Sequence, residues 1–205
     1  MRRPLRLGVL GSGKGSNFRA LMEQINDGRL NAEVRIVISD VEDAGILSLA
    51  RDFQIPGLYV RPGRFRAKLE PEVEEDVVRL LREASVELVV FAGFMRIAKQ
   101  PLLSAFPRKI INIHPSLLPK FPGLEAWKQA LAAAETITGC TVHYVDAGVD
   151  TGEILAQKTV PILPDDTPER LHARIQQAEH VLLPAVVADL TASFRGTEDV
   201  TPSGP

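Results

Sequence analysis

Short apolar runs separated by helix-period segments restrict this chain more than any other feature. The runs fall at residues 5–10, 34–39, 86–91 and 110–113. The run 86–91 is apolar but for Glu87 near its start, which is the pattern of a strand covered on both faces. Between the runs, Phe18, Leu21, Met22 and Ile25 recur at i, i+3, i+4 and i+7, so a helix begins near Ser16 and ends by Gly28. Residues 43–54 give a second helix and 57–60 a short strand. Pro71 suits a first helical position, and Val73, Val77, Leu80, Leu81 and Ala84 mark the core face of a third helix. Such alternation predicts an α/β fold, with a Rossmann-like, mostly parallel twisted sheet, helices on both faces and right-handed crossovers.

The pattern changes after a further helix at 123–135. Residues 138–145 and 153–161 read as two strands joined by a glycine-rich turn with no helix between them, which predicts an antiparallel addition at one end of the sheet. Asp166, Pro168 and Glu169 then open a long C-terminal helix whose apolar face is Leu171, Ile175, Ala178, Leu182, Val186 and Leu190. Pro184 predicts a kink, or a break near His180, whose carbonyl loses its hydrogen-bond donor. Residues 1–192 form one expected domain, and 193–205 read as a flexible C-terminal tail.

Chemistry concentrates where strands end. In Ile110-Ile111-Asn112-Ile113-His114-Pro115, alternation puts Asn112 and His114 on one face, and Pro115 stops the ladder beside them. The carboxyl edge of an open α/β sheet is where ligands bind. Gly11-Ser12-Gly13-Lys14-Gly15-Ser16-Asn17 joins the first strand to the first helix, an arrangement whose free backbone amides suit an anion. Three guests compete for it. The triphosphate loop needs Ser or Thr where Gly15 stands, and the dinucleotide fingerprint needs a third glycine where Ser16 stands. Asp40, at the end of the second strand, could still touch a ribose, which keeps a nicotinamide reading open; a single phosphate monoester fits best. Asp150, in Gly148-Val149-Asp150-Thr151-Gly152, can bend an acid toward the same edge.

An Asn, a His and an Asp with no Ser or Cys nucleophile fit direct acyl transfer to an external amine through a tetrahedral oxyanion. A neighbouring carboxylate is expected to raise the pKa of His114 and so keep it a donor near neutral pH. The four histidines show no paired ligand spacing, so no metal is expected. The single Cys140 cannot form an internal disulfide and reads as a small core residue of a cytoplasmic protein. With 24 basic against 26 acidic residues and no basic block, a dedicated nucleic-acid or membrane-surface binder is disfavoured. The apolar stretch after Met1 is too soon interrupted by Gly11 to be a signal peptide.

Four stretches together carry a resemblance. Ser12-Gly13-Lys14-Gly15-Ser16-Asn17, Ala92-Gly93-Phe94-Met95-Arg96-Ile97, residues 111–119 and residues 148–152 stand in the order and spacing of the folate-dependent glycinamide ribonucleotide formyltransferases of purine synthesis. The similarity runs from about residue 5 to 190. It implies a formyltransferase catalytic domain over 1–192 that takes 10-formyltetrahydrofolate as co-substrate and forms formylglycinamide ribonucleotide and tetrahydrofolate. It implies Asn112, His114 and Asp150 as the catalytic set, and Gly15, Ser16, Asn17 and Glu179 as contacts to the ribonucleotide. Met95, Arg96, Ile97, Ala98 and Asn112 would line the folate pocket, with Lys68 nearest to its glutamate tail and residues 145–150 around its pteridine. Lys14 departs from the smaller or neutral residue usual in its place. A tRNA-directed relative needs a further basic domain and a hydrolytic relative an additional regulatory domain, and neither is expected here. The partners implied are the two small substrates, without nucleic acid or membrane, for a monomer or a homodimer.

Overall fold

The computed structural model describes residues 3–196; Met1 and Arg2 and most of the expected tail, 197–205, lie outside the described residues. Five strands run parallel: β1 (Leu5–Leu10), β2 (Ala32–Ser39), β3 (Gly57–Tyr59), β4 (Leu88–Phe91) and β5 (Ile110–His114). Two more, β6 (Ile137–Tyr144) and β7 (Ile154–Pro161), are antiparallel, so the sheet reads β3-β2-β1-β4-β5-β6-β7. The expected parallel sheet with an antiparallel end is therefore present. The strand order reverses between β1 and β4, and the crevice outside their carboxyl ends is the binding position of such folds.

Each sheet face is covered because each helix has one apolar stripe. Phe18 and Leu21 of α1 (Ser16–Asn26), Ile46 of α2 (Gly45–Asp52), and Leu171, Ile175 and Leu183 of α6 (Pro168–Gly196) pack on one face with Leu5, Leu7, Val9, Ile111 and Ile113. Val77 and Leu81 of α3 (Pro71–Glu83) and Leu102 of α4 (Gln100–Ala105) pack on the other with Ile36, Ile38, Val89, Phe91 and Ile110. Pro71 does occupy the start of α3. The helix expected over 123–135 is shorter, α5 (Ala126–Ala132), because Gly123 and Glu125 both take left-handed backbone that delays its start. Trp127 of α5 stacks flat on His172 of α6, with ring centroids 3.8 Å apart.

Of the two outcomes expected at Pro184, a kink or a break, the break is not found, and the helix runs on into the expected tail. The helix does not break near His180; α6 is continuous through Pro184 and reaches Gly196, so the first four residues of the expected tail are helical. Leu183, Val186 and Val187 surround the proline and are buried against the sheet. Burial of such side chains contributes about 1.5–3 kcal/mol each. Together they outweigh the roughly 3 kcal/mol cost of an interior proline.

Candidate active site

β5 delivers Asn112 and His114 to the rim, and β6 delivers a residue that the sequence did not single out. The antiparallel register sets His143 directly across from Asn112. The Nδ1–H of His143 donates to the Tyr144 carbonyl at 2.8 Å, which leaves its Nε2 as acceptor for the Asn112 side-chain amide at 3.1 Å. In Cys140-Thr141-Val142-His143 the two polar residues stand two apart and so share one strand face, and that is the signal that could have found it.

Asp150 closes the cluster from the loop between β6 and β7. Its backbone is left-handed, at φ 54°, and this turns the carboxylate back toward the sheet. One oxygen lies 3.3 Å from Nδ1 of His114 and accepts the Gly123 amide at 2.8 Å. The other accepts from Asn112 at 3.3 Å and faces Nε2 of His143 at 3.5 Å. The far nitrogen of His114, Nε2, donates to the Phe121 carbonyl at 2.8 Å. The structure thus joins the three expected residues in one hydrogen-bonded group and adds His143 and the 121–123 backbone.

The imidazolium form of His114 is the one that donates to both acceptors. Burial opposes it, and burial is the stronger influence: the ring is 4% exposed, and its pKa lies below the ordinary 6.5 despite the upward pull of Asp150 and the Phe121 carbonyl. This corrects the expected upward shift. At Asp150 burial pushes the carboxyl up. Its contacts with His143, with His114 and with the Gly123 amide together outweigh burial, and they hold the group below the usual carboxylate range. Asp150 is thus held ionised, while burial works against the His114 proton that the carboxylate favours. Cys140 is buried, with its thiol pushed up to about 12 by desolvation and by Glu179, which makes it inert as a nucleophile.

The glycine turn meets the same crevice. Gly15, at φ 80°, precedes α1, and a Cβ there would lie 2.9 Å from Ile46, so no other residue fits. No side chain caps the helix, which leaves the first-turn amides at Ser16 and Asn17 directed to the crevice. Asn17 donates to Glu179 of α6 at 2.8 Å, while its own Oδ1, buried, has no partner among the described residues. Burial raises the Glu179 carboxyl to about 7 against the stabilising Asn17 amide. The four residues expected at the ribonucleotide end are thus gathered at one place.

The loop after β4 forms the opposite wall. Met95 is exposed, Ile97 is half-buried, and Ala98 is buried in the α3–α4 core. The Arg96 guanidinium is committed to protein: it donates to Asp40 at 2.6 Å, to the Phe65 carbonyl at 2.7 Å and to the Arg66 carbonyl. Asp40 is engaged by Arg96 rather than open to a ribose. Lys68 lies on the adjacent segment, with its ammonium 4.4 Å from the centre of the Phe65 ring. Among the described residues, no group of three or more His, Cys, Asp or Glu side chains could hold a metal ion, and no helix is long and apolar enough to cross a membrane.

Comparison with known proteins agrees with this geometry. A profile described as "Formyl transferase" matches residues 5–187. Phosphoribosylglycinamide formyltransferase of Bacillus subtilis is 41% identical over 182 residues, covering 89% of this chain and 92% of that protein. The trifunctional purine biosynthetic protein adenosine-3 of Drosophila pseudoobscura is 45% identical over 203 residues, and this chain spans 15% of its length. Among solved structures, glycinamide ribonucleotide transformylase 1 from Symbiobacterium toebii superimposes with a TM-score of 0.89 at 42% identity, covering 93% of this chain and 89% of that one. The enzyme from Bacillus halodurans gives 0.85 at 41%, covering 90% and 94%. The chain belongs to the formyl transferase family, in its phosphoribosylglycinamide formyltransferase branch.

Proposed function

We propose that the protein transfers the formyl group of 10-formyltetrahydrofolate to the primary amine of glycinamide ribonucleotide, in purine synthesis. One observation carries the reading: the Asn112, His114 and Asp150 group stands at a strand end between an anion-binding helix start and the wall formed by residues 95–98. The phosphate rests on the amides of Gly15, Ser16 and Asn17, with Glu179 receiving donors of the sugar end. The folate lies along Met95, Arg96, Ile97, Ala98 and Asn112, with Lys68 toward its acidic tail.

The amine attacks the formyl carbon and forms a C–N bond; the carbonyl electrons move to oxygen, and the folate C–N bond then breaks. The proton lost by the amine passes to the departing folate nitrogen, directly or through water. Asn112 and His114 donate to the oxyanion. The anion adds negative charge to that of Asp150, and so favours the imidazolium form of His114 that burial opposes. Asp150 orients the ring and balances its charge. The single buried thiol fits a reducing cytoplasm, and the catalytic domain includes α6.

A direct assay combines enzyme, glycinamide ribonucleotide and 10-formyltetrahydrofolate. The expected result is amine-dependent loss of formyl-folate absorbance. His114→Ala and Asp150→Asn are expected to lower kcat by about 10²–10³, the scale of one oxyanion-hole donor, with the ribonucleotide Kd within threefold. Wild-type turnover in either variant removes the role assigned to it.

A further inference from the structure

The mechanism uses the glycine turn and the 95–98 loop as separate walls, yet three side chains outside the catalytic group bind them into one piece. Ser12 of the turn accepts the Met95 backbone amide at 2.9 Å and donates its hydroxyl proton to Asp40 at 2.5 Å. The second oxygen of Asp40 takes the Arg96 Nε–H at 2.6 Å. Arg96 then reaches over to the carbonyls of Phe65 and Arg66, and the backbone of Ile97 donates to Ala67 at 2.8 Å. The carboxylate is 2% exposed and the guanidinium 15%. A buried charge pair of this kind holds its geometry firmly, since either member left alone is an uncompensated charge.

We infer that Ser12, Asp40 and Arg96 form an internal strut that fixes the position of the folate wall relative to the phosphate grip. Asp40 is its central positioning residue and touches neither substrate. The inference rests on the assignment of the two subsites in the preceding section. Each end of the strut is anchored independently. The turn is held by backbone bonds from Gly11 to Ile38, from Ser12 to Gly93 and from Ile46 to Gly13, none of which involves Asp40. The folate wall has fewer such anchors, and its Met95 and Arg96 contacts pass through the strut. Loss of Asp40 should therefore slacken the folate wall and spare the phosphate grip. A misplacement of about 1 Å at a reacting pair is enough to cost turnover on the order of a hundredfold.

The test uses the full chain with Asp40→Asn, and Ser12→Ala as a second variant that leaves the ion pair in place. Amide hydrogen exchange is read without ligands. In Asp40→Asn, exchange at Met95 and Ile97 is expected to quicken at least tenfold, while Val89 in β4 and Ala92 just after it keep wild-type rates. With substrates, KM for 10-formyltetrahydrofolate is expected to rise about tenfold and KM for the ribonucleotide to stay within threefold. Ser12→Ala should give the same pattern, strongest at Met95. Unchanged exchange at residues 95 and 97 in both variants overturns the strut. So does uniform acceleration that includes Val89, because it marks general loss of stability. Local slackening in the variants, together with a wild-type protein that shows no formyl transfer, would uphold the strut and retire the subsite assignment instead.

Discussion

His114 and Glu179 are both buried and both held away from their ordinary titration, and each side chain is legible from the sequence to a different depth. Asn112 and His114 follow from strand alternation alone, and Asp150 from a glycine-rich turn able to bend back. His143 was not legible in the same way, because its place opposite Asn112 depends on an antiparallel register set by the whole connection between β5 and β6. The direction of the His114 shift was also hidden: the carboxylate neighbour is visible in the sequence, but the depth of burial that outweighs it is not. Glu179 gives a sharp prediction. Its folded pKa, about 7, lies above the ordinary 4.5, so the folded state binds more protons than the unfolded chain between those values. Stability is therefore undiminished below pH 4.5 and falls as pH rises through 7. The shift corresponds to about 3 kcal/mol at its limit. Glu179→Gln, which keeps an acceptor for Asn17, should be more stable than wild type in urea at pH 8 and equal to it at pH 4.5. The same change should weaken ribonucleotide binding about tenfold. A variant with unaltered pH dependence shows that the carboxyl ionises freely in the folded protein.

Elements were legible where hydrophobic period and length were both ample. The parallel strands, α1, α3 and the antiparallel pair lie within a few residues of their expected places. The six-residue α4 carries too little period to be recognised, and its anchoring is tertiary: the buried Glu74 carboxylate accepts the amide of Lys99 at 2.6 Å just ahead of it. In α6 a local rule was overruled, since Pro184 is an honest helix breaker set among residues whose burial requires a continuous helix. The start of that helix is held by Arg174, which grips Asp166 through two bonds of 2.7 Å. The penalty at Pro184 is thus carried rather than relieved, and removing it should release stability. Pro184→Ala restores a donor for the His180 carbonyl, and we expect a gain of about 1–3 kcal/mol in the free energy of unfolding. The midpoint of urea denaturation checks this, and a variant less stable than wild type means that the ring itself fills space in the α6 packing.

At the scale of the molecule, the reversal of strand order between β1 and β4 brings three loops to one crevice, and those loops decide which nucleotide the fold accepts. The sequence left a nicotinamide guest open because a glycine turn and an acid after the second strand are both present. The structure changes the weight of that acid. A dinucleotide needs a carboxylate at the end of β2 free for a ribose hydroxyl, and here both oxygens of Asp40 are taken, by Ser12 and by Arg96. Binding at the crevice must stabilise the folded chain by RT ln(1 + [L]/Kd), about 2.7 kcal/mol at a hundredfold excess over Kd. In a protein of this size that corresponds to a rise in Tm of roughly 5–10 °C. Glycinamide ribonucleotide at such a concentration should produce the shift, and NAD(H) at millimolar concentration should leave Tm unchanged. The Ser12→Ala variant, with Asp40 partly released, should still ignore NAD(H), because Ser16 occupies the place of the third fingerprint glycine. A substantial rise with NAD(H) and none with the ribonucleotide would mean that the crevice serves a dinucleotide, and that the open amides at Gly15 hold a pyrophosphate.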